Sequence, residues 1–149
     1  MTDRSERAVL NHLIETCKDA ERGFRHVAEH ATNPAVKSLF LDIASERARF
    51  AADLLPHAQR LGGAREAEGT TAGTLHRTWI DLRSALSNDD QDAIVHEAER
   101  GEHFSLGVYK EALNGILPPT ARDVVELQYE QLFKTGARLH KLDGVVVRE

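Results

Sequence analysis

Cys17-Lys18-Asp19-Ala20-Glu21-Arg22-Gly23-Phe24 sets a carboxylate inside an apolar stripe. Leu10, Ile14, Cys17, Phe24 and Ala28 recur at helical spacing, the seam of a packed helix, and Glu21 falls on the same seam. A charge there is costly unless a cation, a proton or a hydrogen-bonding partner compensates it. If other helices set carboxylates opposite Glu21, the chain is built around a polar core site. Otherwise Glu21 belongs to an ordinary buried ion pair.

Working outward, residues 5–32 read as one long amphipathic helix that ends at Asn33-Pro34. Asn33 is an expected N-cap and Pro34 the first residue of the next helix, so the first two helices are antiparallel neighbours. The second helix runs to Leu61 and stops at Gly62-Gly63. Its seam is Val36, Leu39, Ile43, Glu46, Phe50 and Leu54, and Pro56 is expected to kink it. A polar connection over 63–71 leads to a shorter crossover helix over 72–86, with Leu75, Trp79, Leu82 and Leu86 on one face and Trp79 as its docking anchor. Asn88-Asp89-Asp90-Gln91 resembles a capping box and opens a third long helix that ends near Gly115. The seam of that helix is Val95, Glu99, Glu102, Leu106, Tyr109, Leu113 and Ile116. After Leu117-Pro118-Pro119-Thr120, a fourth covers 121–142 with Val124, Gln128, Gln131 or Leu132, Thr135, Leu139 and Leu142 inward. The fold class is all-α, a single domain over 1–149: an up-down four-helix bundle with a helical crossover between its second and third long helices.

The level along the bundle decides whether the polar seam positions meet. With the Asn33 turn at the top, Glu21, Glu46, Glu99, Glu102 and Gln131 all fall roughly 15–20 Å below it at 1.5 Å per residue. Carboxylates crowded in one layer require shared protons, arginines or a divalent cation. Two readings follow. In one, Glu21, Glu46, Glu99 and Glu102 bind a metal, and oxygen-only ligation favours Fe or Mn, as well as Mg or Ca, over Zn. In the other the layer is metal-free: Arg25 and Arg49 fold over their glutamates, and Gln128 and Gln131 donate hydrogen bonds. Di-iron bundles carry Glu-x-x-His on two helices, whereas Glu46-Arg47-Ala48-Arg49 has Arg49 in the histidine position and Glu99-Arg100-Gly101-Glu102 pairs two carboxylates. An oxygenase of that type therefore ranks last.

The remaining features are bounded by composition. The chain has 149 residues, 41% hydrophobic and 29% charged, with a formal charge of −5 that disfavours nucleic acid. No apolar run spans a bilayer, the N-terminus lacks a signal-peptide core, and the single cysteine fits a reducing cytoplasm. The eight histidines form no spaced pair on a seam, and Cys17 reads as a small core residue. A homodimer through an outer helical face is expected, with no membrane or nucleic-acid partner.

Beyond these readings, four segments carry a likeness: Cys17 to Phe24, Lys37-Ser38-Leu39-Phe40, Leu75-His76-Arg77-Thr78-Trp79-Ile80-Asp81-Leu82 and Glu97-Ala98-Glu99-Arg100-Gly101-Glu102. They resemble a bacterial ferritin-like family of four-helix-bundle proteins of unassigned function, distantly similar to rubrerythrins. The resemblance implies a bundle related to carboxylate–metal proteins and supplies no reaction; on the metal-binding reading of the glutamate layer, the expected role is stress-linked metal or redox handling.

Overall fold

The computed structural model describes the backbone of residues 2–62, 72–88 and 90–148, and side chains over 6–62, 80–88 and 90–142. The expected connection over 63–71 and the Leu75 and Trp79 side chains lie outside the described residues. Among the described residues five helices follow in order: α1 (Thr2–His30), α2 (Pro34–Arg60), α3 (Ala72–Ser87), α4 (Gln91–Asn114) and α5 (Pro119–Arg148). The architecture is all-α.

Helix starts follow side-chain chemistry. Asn33 Oδ1 accepts from the backbone N–H groups of Ala35 (2.9 Å) and Val36 (3.2 Å), and Pro34 fills the first helical position, where no donor is needed. At the start of α4 the expected capping box shifts by two residues. Asp90 is the N-cap and accepts from Ala93 N at 3.1 Å, so Gln91 opens α4 instead of closing a reciprocal pair. α2 continues through Pro56 as one helix, with Pro56 and Ala52 both exposed, so the carbonyl left without its N–H partner faces water. Gly62, at φ +78°, takes the left-handed conformation that ends α2.

Each hairpin is closed by a cation from its second helix reaching back to the last carbonyls of its first. Lys37 Nζ donates to Ala28 O at 2.7 Å. Arg122 donates to Leu113 O and Gly115 O, both at 2.9 Å. These contacts satisfy carbonyls that a helix end leaves without partners, and they favour the negative end of the helix dipole.

α1 packs on α2 and α4, and α5 packs on α2 and α4, which closes a ring of four long helices; α3 lies over α1 and α4. Cross-contacts set the directions. Arg47 meets Glu102 and Phe50 meets Tyr109, so α2 and α4 run the same way across the diagonal. Gln128 meets Phe50 and Thr135 meets Glu46, so α5 opposes α2. Leu82 and Ala85 join Ile94, Phe24 and Phe40 in the core at the Asn33 end, as expected of a crossover that carries the chain back there. The Phe24 and Phe40 rings meet edge to face at 5.2 Å between centroids. Replacement of Asn33 by Ala is expected to cost about 1 kcal/mol, read as a lower urea midpoint at unchanged slope.

Candidate functional site

The core is two apolar clusters. One, at the Asn33 end, includes Phe24, Phe40, Ile43, Val95 and Leu139. The other includes Leu10, Leu13, Phe50, Leu54, Tyr109 and Leu132. Between them lies a layer of buried polar side chains: Glu46, Arg47, Glu102 and Thr135, bordered by Ser105 and Gln128.

α2 supplies the centre of the layer. Neighbouring positions on a helix point about 100° apart, so Glu46 and Arg47 can both face inward only on a helix that touches neighbours over a broad arc. α2 does so, packing on α1 and α5 while its core face looks across the diagonal at α4. Arg47 aims at α4 and Glu46 at α5. The Arg47 guanidinium, 1% exposed, donates from Nη1 to Glu102 Oε1 at 2.8 Å and from Nη2 to Glu102 Oε2 at 2.6 Å. Its Nε donates to Glu46 Oε1 at 3.3 Å, and the Thr135 hydroxyl lies 2.7 Å from Glu46 Oε2. The two-pronged pairing matches guanidinium to carboxylate geometry and uses both Glu102 oxygens.

A second chain of hydrogen bonds runs below this one. Tyr109 OH donates to Gln128 Oε1 at 2.6 Å, and Gln128 Nε2 donates to the Phe50 carbonyl at 3.2 Å. With the phenolic proton so committed, Cys17 Sγ, 3.1 Å from the Tyr109 oxygen, is the donor of its contact. Burial pushes the Cys17 thiol up to about 11, and burial likewise holds the Tyr109 hydroxyl well above its ordinary range. Neither is poised as a nucleophile at neutral pH. Burial disfavours the charge on Arg47, but Glu102 outweighs it and holds the guanidinium above its ordinary value. Glu46 is raised, chiefly by burial, against the attraction of Arg47.

Of the four carboxylates predicted as metal ligands, Glu46 and Glu102 meet around one guanidinium. Glu21 and Glu99 lie apart. Glu21 pairs with Arg25 at 3.2 Å with its side chain 30% exposed. Glu99 pairs with His140 at 3.1 Å with its side chain 27% exposed. The physical reason is helical phase. On α1 the row Leu10, Leu13, Cys17, Ala20, Phe24 and Val27 is buried throughout, while the adjoining row is buried at Ile14 and Ala28 and opens to solvent at Glu21 between them. On α4 the buried positions are Ile94, Val95, Ala98, Gly101, Glu102, Ser105, Val108, Tyr109 and Ala112, and Glu99, Leu106 and Leu113, each partly exposed, form the flank. Ile116, expected on the seam, is 58% exposed beyond the end of α4. Arg25 folds on Glu21 as the metal-free reading expects, but Arg49 is exposed and the buried cation is Arg47. Gln128 enters the core, while Gln131 contributes its backbone carbonyl to Thr135. A second row on α2, Phe40, Ala44, Arg47, Ala51, Leu54 and Ala58, was the signal in the sequence for Arg47.

No group of three or more His, Cys, Asp and Glu side chains among the described residues is arranged to hold a metal ion. Both Glu102 oxygens already accept from Arg47, so a cation bound there would sit beside a guanidinium of like charge. A groove of about 340 Å³ between α4 and α5, lined in part by Glu102, His103, Leu106 and Phe133, brings solvent to the edge of the layer. No helix among the described residues is long and apolar enough to cross a membrane.

Residues 6–115 match a family described as a domain of unknown function (DUF2383). The chain belongs to that family. The DUF2383 match spans α1 to the end of α4 and so contains Glu46, Arg47 and Glu102, whereas Gln128 and Thr135 on α5 lie beyond it. No curated protein matches the chain.

Two outcomes follow from the DUF2383 layer. Arg47→Met leaves carboxylates buried without their cation and is expected to cost about 3–5 kcal/mol, whereas Arg47→Met with Glu102→Leu is expected to be near neutral or stabilising; guanidinium-chloride unfolding reads both. For Glu46, the folded state holds a proton more tightly than the unfolded chain. Its stability contribution therefore falls as pH rises from the ordinary 4.5 through the raised folded value. Urea unfolding across that range should show the fall in the parent and a flatter profile in Glu46→Gln.

Proposed function

We propose that this DUF2383 chain is a ferritin-like four-helix bundle, with a helical crossover, that serves as a structural or interaction module with a metal-free polar core. In this reading an arginine takes the place that a divalent cation holds in carboxylate–metal bundles. The observation that carries it is the two-pronged Arg47–Glu102 pair at 2.8 and 2.6 Å, with the guanidinium buried. The ring of four long helices and the position of α3 support the bundle and crossover. With Glu102 already paired to a buried guanidinium, the layer has a cation of its own, and its tyrosine and cysteine are held protonated by their surroundings.

The interaction partner in this reading is a second copy, seated on the α4–α5 face. Phe133 stands 55% exposed on α5 beside the groove between α4 and α5, and Tyr129 meets it edge to face at 4.9 Å. Exposed large apolar side chains of this kind are a common basis for association.

The competing reading gives the layer a role in stress or in metal and redox handling, with Fe or Mn bound by Glu21, Glu46, Glu99 and Glu102. Elemental analysis of purified protein, together with melting of the parent and Glu46→Gln with and without Mn²⁺ or Fe²⁺, separates the two. Substoichiometric metal and melting temperatures that the ions leave unchanged are expected. A stoichiometric ion whose stabilisation is lost in Glu46→Gln would overturn the metal-free reading. Light scattering is expected to give the dimer mass, and a monomer at high concentration would reject the second-copy interface.

A further inference from the structure

Three ionisable side chains fill the centre of the layer, and their charges do not balance. One guanidinium, Arg47, faces two carboxylates, Glu46 and Glu102, with all three buried. Every element packed around Glu46 has a stated contribution. α2 gives Arg47; α4 gives Glu102 and Tyr109; α1 gives Cys17; α5 gives the uncharged Thr135 and Gln128. Cys17 and Tyr109 stay protonated, so neither alters the count. With both glutamates ionised, the layer would carry one uncompensated negative charge in the core, which a low-dielectric interior penalises heavily.

The hydrogen bonds indicate which carboxyl group relieves this. Glu102 receives two short guanidinium N–H bonds, one on each oxygen, a pattern that requires the ionised form. Glu46 receives only the longer Nε contact at 3.3 Å. Its other oxygen faces the Thr135 hydroxyl at 2.7 Å, and that hydroxyl also lies 3.0 Å from the Gln131 carbonyl. A threonine hydroxyl has one proton and two oxygen acceptors here. Both contacts become hydrogen bonds at once if Glu46 carries a proton and donates it to Thr135 Oγ1, while Thr135 donates onward to Gln131 O.

We infer that the layer stores one proton at neutral pH, held on Glu46 Oε2 and directed at Thr135 Oγ1, because a single arginine faces two buried carboxylates. The raised affinity of Glu46 for its proton agrees with this. The device makes the packing of α2 against α5 sensitive to alkali. Loss of the proton leaves two acceptor oxygens, Glu46 Oε2 and Gln131 O, competing for one hydroxyl, and a net negative charge between the two apolar clusters. The inference deepens the metal-free reading of the layer and rests on it.

The test is carbon-13 NMR of protein labelled at the glutamate carboxyl carbons, on a sample shown metal-free by elemental analysis, with Glu46 assigned through its own side-chain couplings. At pH 7 the Glu46 carboxyl carbon is expected at the protonated-acid position and should move to the carboxylate position only on raising the pH. In Glu102→Gln the guanidinium faces one carboxylate, so Glu46 is expected to be ionised at pH 7. An ionised Glu46 in the metal-free parent at pH 7 overturns the inference. A Glu46 still protonated in Glu102→Gln overturns its charge-balance cause. The parent spectrum alone decides the first point, even if the variant fails to fold. A tightly bound ion in purified protein would instead count against the metal-free reading, so the two failures are distinguishable.

Discussion

The pairing of Arg47 with Glu102 constrains the rest of the structure more than any other contact. It joins α2 to α4 across the diagonal of the ring, between helices that are not sequence neighbours. The two hydrogen bonds of one bidentate pair accept little variation in angle or distance, so they set the relative height of these helices. Apolar contacts above and below would tolerate sliding by a fraction of a turn; the ion pair does not. Such buried pairs add little net stability against hydrophobic replacements, and a register role is the use for which they are best attested. Here the layer that sets the register also separates the two apolar clusters.

Local devices at the hairpins act in the same direction. Lys37 on Ala28 O and Arg122 on Leu113 O and Gly115 O bind the start of each second helix to the end of its first. Each hairpin is therefore tied at its own turn, and the relative height of the two hairpins is set by the contacts between them. Below the arginine, the ordered run from Cys17 through Tyr109 and Gln128 to the Phe50 carbonyl links all four long helices by side-chain and backbone groups. Each donor in that run has an acceptor, which is the condition for a buried polar network to be tolerated.

Much of this was legible in the residue order. The Asn33-Pro34 joint, the Gly62 stop, the inward Glu46 and the Gln128, Thr135 and Leu139 stripe all rest on local chemistry or on a period of 3.6, which a single helix carries by itself. The site was legible by halves. Glu46 and Glu102 were placed correctly, while Glu21 and Glu99 were set one flank too far inward. Both errors have one cause: gaps of three and four can be threaded along either of two adjoining rows, and Leu10, Cys17 and Phe24 belong to both. A row that includes Ile14 and Ala28 looks as apolar as one that includes Leu13, Ala20 and Val27.

The sequence by itself determined the helices, the Asn33-Pro34 joint, the Gly62 stop and the level at which polar side chains gather, because these follow from capping chemistry, periodicity and rise per residue. Only the tertiary structure decided which charges meet. The width of the arc that α2 buries depends on how many helices surround it. That width brought Arg47 inward beside Glu46, turned a layer of carboxylates into an arginine-centred one, and left Glu21 and Glu99 to partners at the surface.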